Sequence, residues 1–345
     1  MASASSSRSC SANRGECRRL PNRARLSGQF WTVGPAAIAL VRLPDVPPHE
    51  SFHLEVDDPT VGRICLTGFL HAPPAARRLL IALHGLGGSA ESSYMRYFAR
   101  SAVAAGFACL RLNLRGAERQ AADYYHAGLT VDLEAVLAAP GLAKFERIGV
   151  VGFSLGGHVA LRYTAERPEA TDPRLAAVAA VCAPLDLDRG ATALDSPGAW
   201  LYRQYILPGL RSQLDAVEKL RPVPCDRARR ARVRGIREWD GLVVAPRWGF
   251  ASPEEYYERA SVAPILERIR LPAWIIESEN DPMVPTWTLL PALARVSPTT
   301  EVTWTKRGGH VGMPRDLDLG RPGPRGLHAQ LLAWMREMTG GEMLG

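Results

Sequence analysis

The stretch Ile148-Gly149-Val150-Val151-Gly152-Phe153-Ser154-Leu155-Gly156-Gly157-His158-Val159-Ala160-Leu161 decides the fold. Ile148–Phe153 is short, apolar and rich in β-branched residues, which reads as a buried strand. Leu155–Ala165 reads as a helix. Ser154 stands at the joint, inside a Gly-x-Ser-x-Gly pattern. That pattern alone arises by chance in roughly one chain in seven of this make-up, so its setting between strand and helix carries the argument. A turn this sharp imposes strained backbone angles on the Ser. It also crowds the positions two before and two after it, where only a very small residue fits. Gly152 and Gly156 supply that space, and the Ser154 hydroxyl is pushed into the open. The helix behind it sets a positive dipole end beneath the hydroxyl. The plainer alternative is a Gly-rich turn that only packs tightly.

A Ser hydroxyl needs an adjacent base, and the base needs an orienting acid. Downstream, apolar Trp274-Ile275-Ile276 lead to Glu277-Ser278-Glu279-Asn280-Asp281-Pro282. An acid in a loop just after a strand can orient a His from beyond the sheet edge. Asp281 is the candidate acid, with Glu279 and Glu277 as rivals and a helix N-cap as its structural alternative. The candidate base is His310, in Gly308-Gly309-His310-Val311-Gly312. Its flanking glycines let the loop fold back over Ser154. A surface His in a flexible turn is the alternative. His84 ends a strand, His158 sits on the helix after Ser154, His126 precedes a helix and His328 lies on the last one, so they fit the role less well.

An acyl-transfer intermediate also needs two preorganised N–H donors for its oxyanion. The residue after the nucleophile, Leu155, gives one. The second is expected from the loop after an earlier strand, Leu80-Ile81-Ala82-Leu83-His84-Gly85-Leu86-Gly87-Gly88-Ser89. Leu86 N–H is the candidate there, Gly85 allows close backbone approach, and His84 holds the loop by hydrogen bonding. The loop lacks the Lys-Ser/Thr of a phosphate-binding P-loop.

Outward from these motifs, strands and helices alternate. Strands are expected at Ser51–Val56, Arg63–Leu70, Leu79–Leu83, Phe107–Leu112, Ile148–Phe153, Leu175–Cys182, Ala273–Ser278 and Glu301–Thr305. Helices are expected at Ala90–Ala105, Leu129–Ala139, Leu155–Ala165, Thr286–Arg295 and Leu327–Met338. Short apolar strands between helices define an α/β chain, with a mostly parallel sheet of about eight strands covered on both faces. Residues 187–260 break the rhythm and read as a helical cap inserted over the C-terminal edge of the sheet. Eight of the chain's 25 aromatic residues fall there. They either line an apolar pocket or pack the insertion onto the sheet. The basic run from Lys219 to Arg237 reads as a solvated face.

The 345 residues can bury a full core, and 46% hydrophobic with 22% charged is ordinary for a globular chain. The net charge of +7 sits mostly in residues 1–26, where six Arg face only Glu16. With the rest near balance and no basic helix interleaved with aromatics, nucleic-acid binding is not expected. Residues 1–29 are poor in apolar side chains and read as a disordered basic tail, leaving 30–345 as the domain. Phe30–Val41 is too short for a membrane span, and too interrupted for a secretory signal. Cys10, Cys17, Cys65, Cys109, Cys182 and Cys225 show no metal spacing and read as free thiols, Cys109 and Cys182 in core strands. A reducing, cytoplasmic compartment is expected, with no metal and no organic cofactor.

At this point the chain resembles the α/β-hydrolases, and within them the YheT-like branch. The resemblance rests on His84-Gly-Leu-Gly-Gly-Ser89, Asn113-Leu-Arg-Gly116, Tyr125-His-Ala-Gly-Leu-Thr130 with Asp132, and Gly152-Phe-Ser-Leu-Gly-Gly157. It continues through Arg237-Glu-Trp-Asp240, Gly249 to Tyr257, Asn280-Asp-Pro282 and Gly308-Gly-His-Val-Gly312, covering roughly residues 50–340. It implies the α/β-hydrolase fold, and Ser154, Asp281 and His310 as a catalytic triad. Three departures bear on the substrate, one being Ala117-Glu118-Arg119-Gln120 where the family usually has a small polar stretch. The family commonly carries a bulkier or charged residue where Gly87 stands, and Lys219 to Arg234 matches no family motif. The expected activity is cleavage of small carboxylic esters through an acyl-enzyme. The alternatives are acyl transfer to an alcohol by the same triad, or a non-catalytic binding protein on this fold. A membrane surface is an optional partner, and the sequence leaves the oligomeric state open.

Overall fold

A computed structural model of the chain describes residues 26–34 and 45–340. The first element is a short helix, α1, at residues 26–34. The last four positions of the expected 1–29 tail are therefore helical. Residues 1–25, and the part of Phe30–Val41 beyond residue 34, lie outside the described residues.

A hairpin follows, β1 (Glu50–Asp58) and β2 (Gly62–His71), and then β3 (Arg78–Leu83), helix α2 (Ser93–Ala104), β4 (Ala108–Leu112) and α3 (Val131–Leu137). Strand β5 (Arg147–Phe153) leads directly into α4 (Leu155–Glu166), and β6 (Leu175–Val181) follows. Between β6 and the next strand every regular element is helical. Besides short 3-10 helices at Pro197–Ala199 and Ala263–Arg268, these are α5 (Leu187–Asp195), α6 (Trp200–Glu218), α7 (Arg227–Arg232), α8 (Ile236–Trp239), a π-turn at Asp240–Val244, α9 (Ala245–Trp248) and α10 (Pro253–Ala260). The chain then returns to the sheet with β7 (Ala273–Ser278), α11 (Thr286–Leu293), β8 (Thr300–Thr305) and α12 (Leu327–Met338).

The eight strands form one sheet in the order β1-β2-β4-β3-β5-β6-β7-β8. β2 pairs antiparallel with β1 and β4, and every later pairing is parallel. The expected mostly parallel sheet of about eight strands is thus observed. Its central strands read as unbroken apolar runs because both faces are covered. Leu79, Ile81 and Leu83 face one core with α3 and α4, and Leu80 and Ala82 face a second core with α2 and α12. Sequential parallel strands also bring the loops after β3, β5, β7 and β8 to one edge of the sheet, where the candidate residues lie.

Candidate active site

Ser154 occupies the turn between β5 and α4 with φ of 52° and ψ of −121°. A non-glycine residue here is strained by on the order of 1–3 kcal/mol. Packing holds it. A Cβ on Gly152 would sit 2.2 Å from the Gly156 carbonyl oxygen, and one on Gly156 would sit 2.3 Å from that of Leu83. Both positions must be glycine for β5, α4 and β3 to approach this closely. Gly85 is less tightly constrained, since its Cβ would lie 3.0 Å from the Ser154 Cβ.

Asp281 and His310 are joined. His310 Nδ1 and Asp281 Oδ2 lie 2.8 Å apart. The other carboxylate oxygen, Oδ1, accepts the Met283 and Val284 N–H groups at 2.8 and 3.0 Å. Those two bonds fix the carboxylate in the loop after β7. Asp281 does not cap α11, whose N-cap is Pro285. Among the described residues neither rival carboxylate bonds to His310. Glu277 accepts the Ala183 N–H at 2.9 Å, and Glu279 has its own N–H on the Thr305 carbonyl. Burial, with the Asp281 charge nearby, pushes the Glu277 carboxyl well up, which favours its neutral form.

The His310 loop is held from two sides. Thr32 Oγ1, on α1, accepts the His310 N–H at 2.8 Å. Gly309 and Gly28 pack backbone to backbone, since a Cβ on Gly309 would lie 2.2 Å from the Gly28 carbonyl oxygen. Beneath the loop, Cys182 donates its thiol to the Gly309 carbonyl at 3.6 Å and accepts the Val311 N–H at 3.4 Å. It therefore grips the peptide groups on both sides of His310. The expectation of a plain core thiol is incomplete for Cys182, which is buried but belongs to the site.

The loop after β3 is braced in the same manner. Leu114 N–H donates to His84 Nε2 at 3.1 Å, so Nδ1 carries the proton and donates to the Gly85 carbonyl at 2.8 Å. Burial lowers the His84 pKa to about 4, keeping it neutral in this role. The Gly85 and Gly87 N–H groups donate to the Tyr94 and Tyr125 hydroxyls, each at 2.9 Å. Leu86 N–H has no partner among the described residues. Leu155 opens α4, where backbone N–H groups have no intrahelical acceptor. Nothing in the sequence pattern marks the two tyrosines as acceptors for these N–H groups, although Tyr125 lies in a motif shared with the family.

The other histidines are spoken for. His158 lies against the Pro184 and Ala260 carbonyls. His328 bonds Ser101 Oγ at 3.1 Å and meets the Phe98 ring edge to face. His126 touches the main cavity but is packed among Trp248, Phe250 and Tyr256, and burial first, then nearby arginines, lower its pKa to about 3.

Ser154, His310, Leu86 and Leu155 all line one cavity of about 530 Å³. Its walls come from the sheet edge, from α1 and from α5, α6, α8 and α10. They are mostly apolar, with Tyr202, Ile206, Leu210 and Leu214 from α6 and Trp239, Tyr256 and Tyr257 from later helices. Both expectations for the aromatics therefore hold, and for some residues together. Trp239, Tyr256 and Tyr257 are buried and also line the cavity, whereas Trp200 is exposed. The basic run is not wholly a solvated face. Arg230 is buried and bonded to Asp215 and Glu218 on α6. Among the described residues, Cys182, Asp281 and His310 could offer three metal-ligand atoms within 4.8 Å of one another. His310 and Asp281 already pair, and burial pushes the Cys182 thiol far up, which disfavours the thiolate that a metal needs.

A strand-to-helix serine, an Asp–His pair and a mostly parallel eight-stranded sheet define the class. The chain belongs to the alpha/beta hydrolase family, which residues 80–319 match. Within it, the chain is 30% identical over 248 residues to YheT of Escherichia coli (strain K12), which carries the name of an esterase, covering 68% of this chain and 69% of that one. It is 25% identical to human phospholipase ABHD3 and 28% identical to the monoacylglycerol lipase of Saccharomyces cerevisiae, covering 69% and 70% of this chain. The matches span only 59% and 56% of those two longer proteins. A crystal structure from Agrobacterium vitis S4, named a hydrolase, shares the fold with a TM-score of 0.53 at 16% identity, over 85% of this chain and 99% of that one. No described helix is long and apolar enough to cross a membrane.

Proposed function

We propose that the chain is a serine hydrolase that cleaves carboxylic esters through an acyl-enzyme. The observation that carries the reading is the meeting of a strained, exposed-facing Ser154 and the His310–Asp281 pair on one apolar cavity. Ser154 Oγ attacks the ester carbonyl while His310 Nε2 takes its proton. Asp281 keeps the His310 proton on Nδ1 and stabilises the imidazolium that forms. The Leu86 and Leu155 N–H groups hold the oxyanion. Collapse of the intermediate expels the alcohol, which receives the proton from His310. Water then repeats the sequence on the acyl-Ser154 ester and frees the acid. None of these steps calls for a metal or an organic cofactor.

The names of the relatives, an esterase, a phospholipase and a monoacylglycerol lipase, support an ester substrate. The apolar lining supports an acyl chain or another apolar ester group in the cavity. Residues 187–260 then act as a cap that supplies about half of the lining. The free thiols of Cys65, Cys109, Cys182 and Cys225 support a reducing compartment, the cytoplasm.

The test is hydrolysis of p-nitrophenyl esters from acetyl to long acyl, wild type beside Ser154→Ala. Activity that vanishes in the variant is expected, and its chain-length optimum sizes the pocket. Equal activity in both proteins would remove Ser154 from the mechanism.

A further inference from the structure

We propose that the rim of the cavity docks onto an anionic lipid surface, with α1 as the anchor. Binding of such a surface is argued from the exposed apolar side chains beside the cavity and from the charge of the sequence that precedes α1. Its use, delivery of an ester to Ser154, rests on the reading above.

Large apolar side chains are exposed at two places beside the cavity. On α1 they are Leu26, Phe30 and Val33, spaced four and three residues apart and therefore on one face. Leu26 is 67% exposed and Phe30 63%. The other face of the helix is used up by Gly28 and Thr32 against the Asp281 and His310 loops. On the first turns of α6 they are Trp200, Leu201 and Tyr205, at 58%, 47% and 63% exposed. Val33, Leu201 and Tyr205 are exposed and also line the cavity, so both groups border it. Single exposed apolar residues need no explanation, but a group gathered round an apolar opening marks an interaction surface.

Two observations select the occupant. A protein seated on this rim would close the entrance, whereas a lipid surface would present apolar esters to it. The sequence leading into α1 is also strongly basic, with Arg8, Arg14, Arg18, Arg19, Arg23 and Arg25 against Glu16. Basic clusters next to an apolar helix face add electrostatic attraction to anionic headgroups and gain little from neutral ones. Trp200 and Tyr205 match the aromatic preference for the level of the headgroups.

The test is co-sedimentation of the full chain carrying Ser154→Ala, so that no lipid is consumed. The vesicles are phosphatidylcholine alone, or equal parts phosphatidylcholine and phosphatidylglycerol. Binding to the mixed vesicles is expected to be at least about tenfold tighter and to fall with added salt. Adding Leu26→Ser with Phe30→Ser should weaken it at least about tenfold. The same pair placed on active Ser154 should keep wild-type hydrolysis of soluble p-nitrophenyl acetate, showing that the site is intact. If the pair unfolds the chain, Trp200→Ser on α6 decides by the same readout. Absence of binding to the mixed vesicles overturns the proposal. So does equal binding by the variants, or a change in oligomeric mass without vesicle binding. A wild type inactive on every ester would count against the hydrolase reading and leave the vesicle result to stand by itself.

Discussion

Thr32 on α1 accepts the backbone N–H of His310 across 278 residues of sequence, at 2.8 Å. The same hydroxyl donates to the Gly28 carbonyl at 2.8 Å, so its direction is fixed within its own helix. The candidate base is thereby positioned by an element outside the sheet and outside residues 80–319, the span that matches the family.

Thr32→Ala leaves the His310 N–H without its acceptor, a loss of about 1 kcal/mol. We expect kcat to fall about fivefold at unchanged KM, since the loop carries the proposed base. Thr32→Ser keeps the hydroxyl and should restore the rate. A variant that moved KM and left kcat alone would assign Thr32 to substrate binding instead.

Ser154→Gly separates chemistry from strain. Loss of the proposed nucleophile should lower kcat on the order of a million-fold. The φ of 52° costs glycine nothing, and relief of strain outweighs the extra flexibility of the unfolded chain by about 1 kcal/mol. The inactive variant should therefore melt about 2 °C higher than wild type, measured by calorimetry. A lower melting temperature would mean that the Ser154 side chain stabilises the turn.

Asp281 and Glu277 lie near each other at the end of β7, and exchange for the amide distinguishes them. Asp281→Asn removes the charge that faces His310 and should lower kcat by about four orders of magnitude. Glu277→Gln keeps an oxygen for the Ala183 N–H and replaces a carboxyl whose neutral form is already favoured. Its kcat should stay within about twofold of wild type. The reverse outcome would transfer the orienting role to Glu277.

Asp240 predicts a pH dependence of stability. It is buried in the π-turn, and Tyr257 Oη donates to it at 2.7 Å. Burial raises its pKa from the ordinary 3.8 to about 7. The folded chain thus holds a proton that the unfolded chain releases between about pH 4 and 7. Stability from this group is present below pH 4, declines through that window and is lost above 7, by on the order of 4 kcal/mol. Asp240→Asn keeps an acceptor for Tyr257 and removes the titration. Its melting temperature should match wild type at pH 4 and exceed it at pH 8. A constant difference across that range would show that Asp240 does not titrate there.

The strand and helix pattern was legible because the central strands are buried on both faces and the helices carry one apolar face. The turn at Ser154 was legible because steric demand forces glycine at residues 152 and 156. The Asp281 and His310 loops were readable from their place after the last strands. What stayed hidden depends on contacts made only in three dimensions. Helix α1 follows a run of Arg and Ser, and its inner face is Gly28 and Thr32, small residues without a pattern signal. Cys182 looks like any core thiol until Gly309 and Val311 fold over it. Arg230 sits in a basic run and is buried only because Asp215 and Glu218 come to it from α6.

Where Gly87 stands, a Cβ would lie 2.9 Å from the Ile206 carbonyl oxygen, and a Cβ on Gly209 would lie 2.4 Å from the carbonyl oxygen of Gly87. The loop after β3 and helix α6 thus touch backbone to backbone, with no side chain as a spacer. Helix α6 supplies much of the cavity wall above Ser154. Any side chain at residue 87 must therefore lift that wall outward by its own thickness. The depth of the cavity is geared to a residue that itself never needs to meet the substrate, so the range of accepted esters can be retuned from behind the wall.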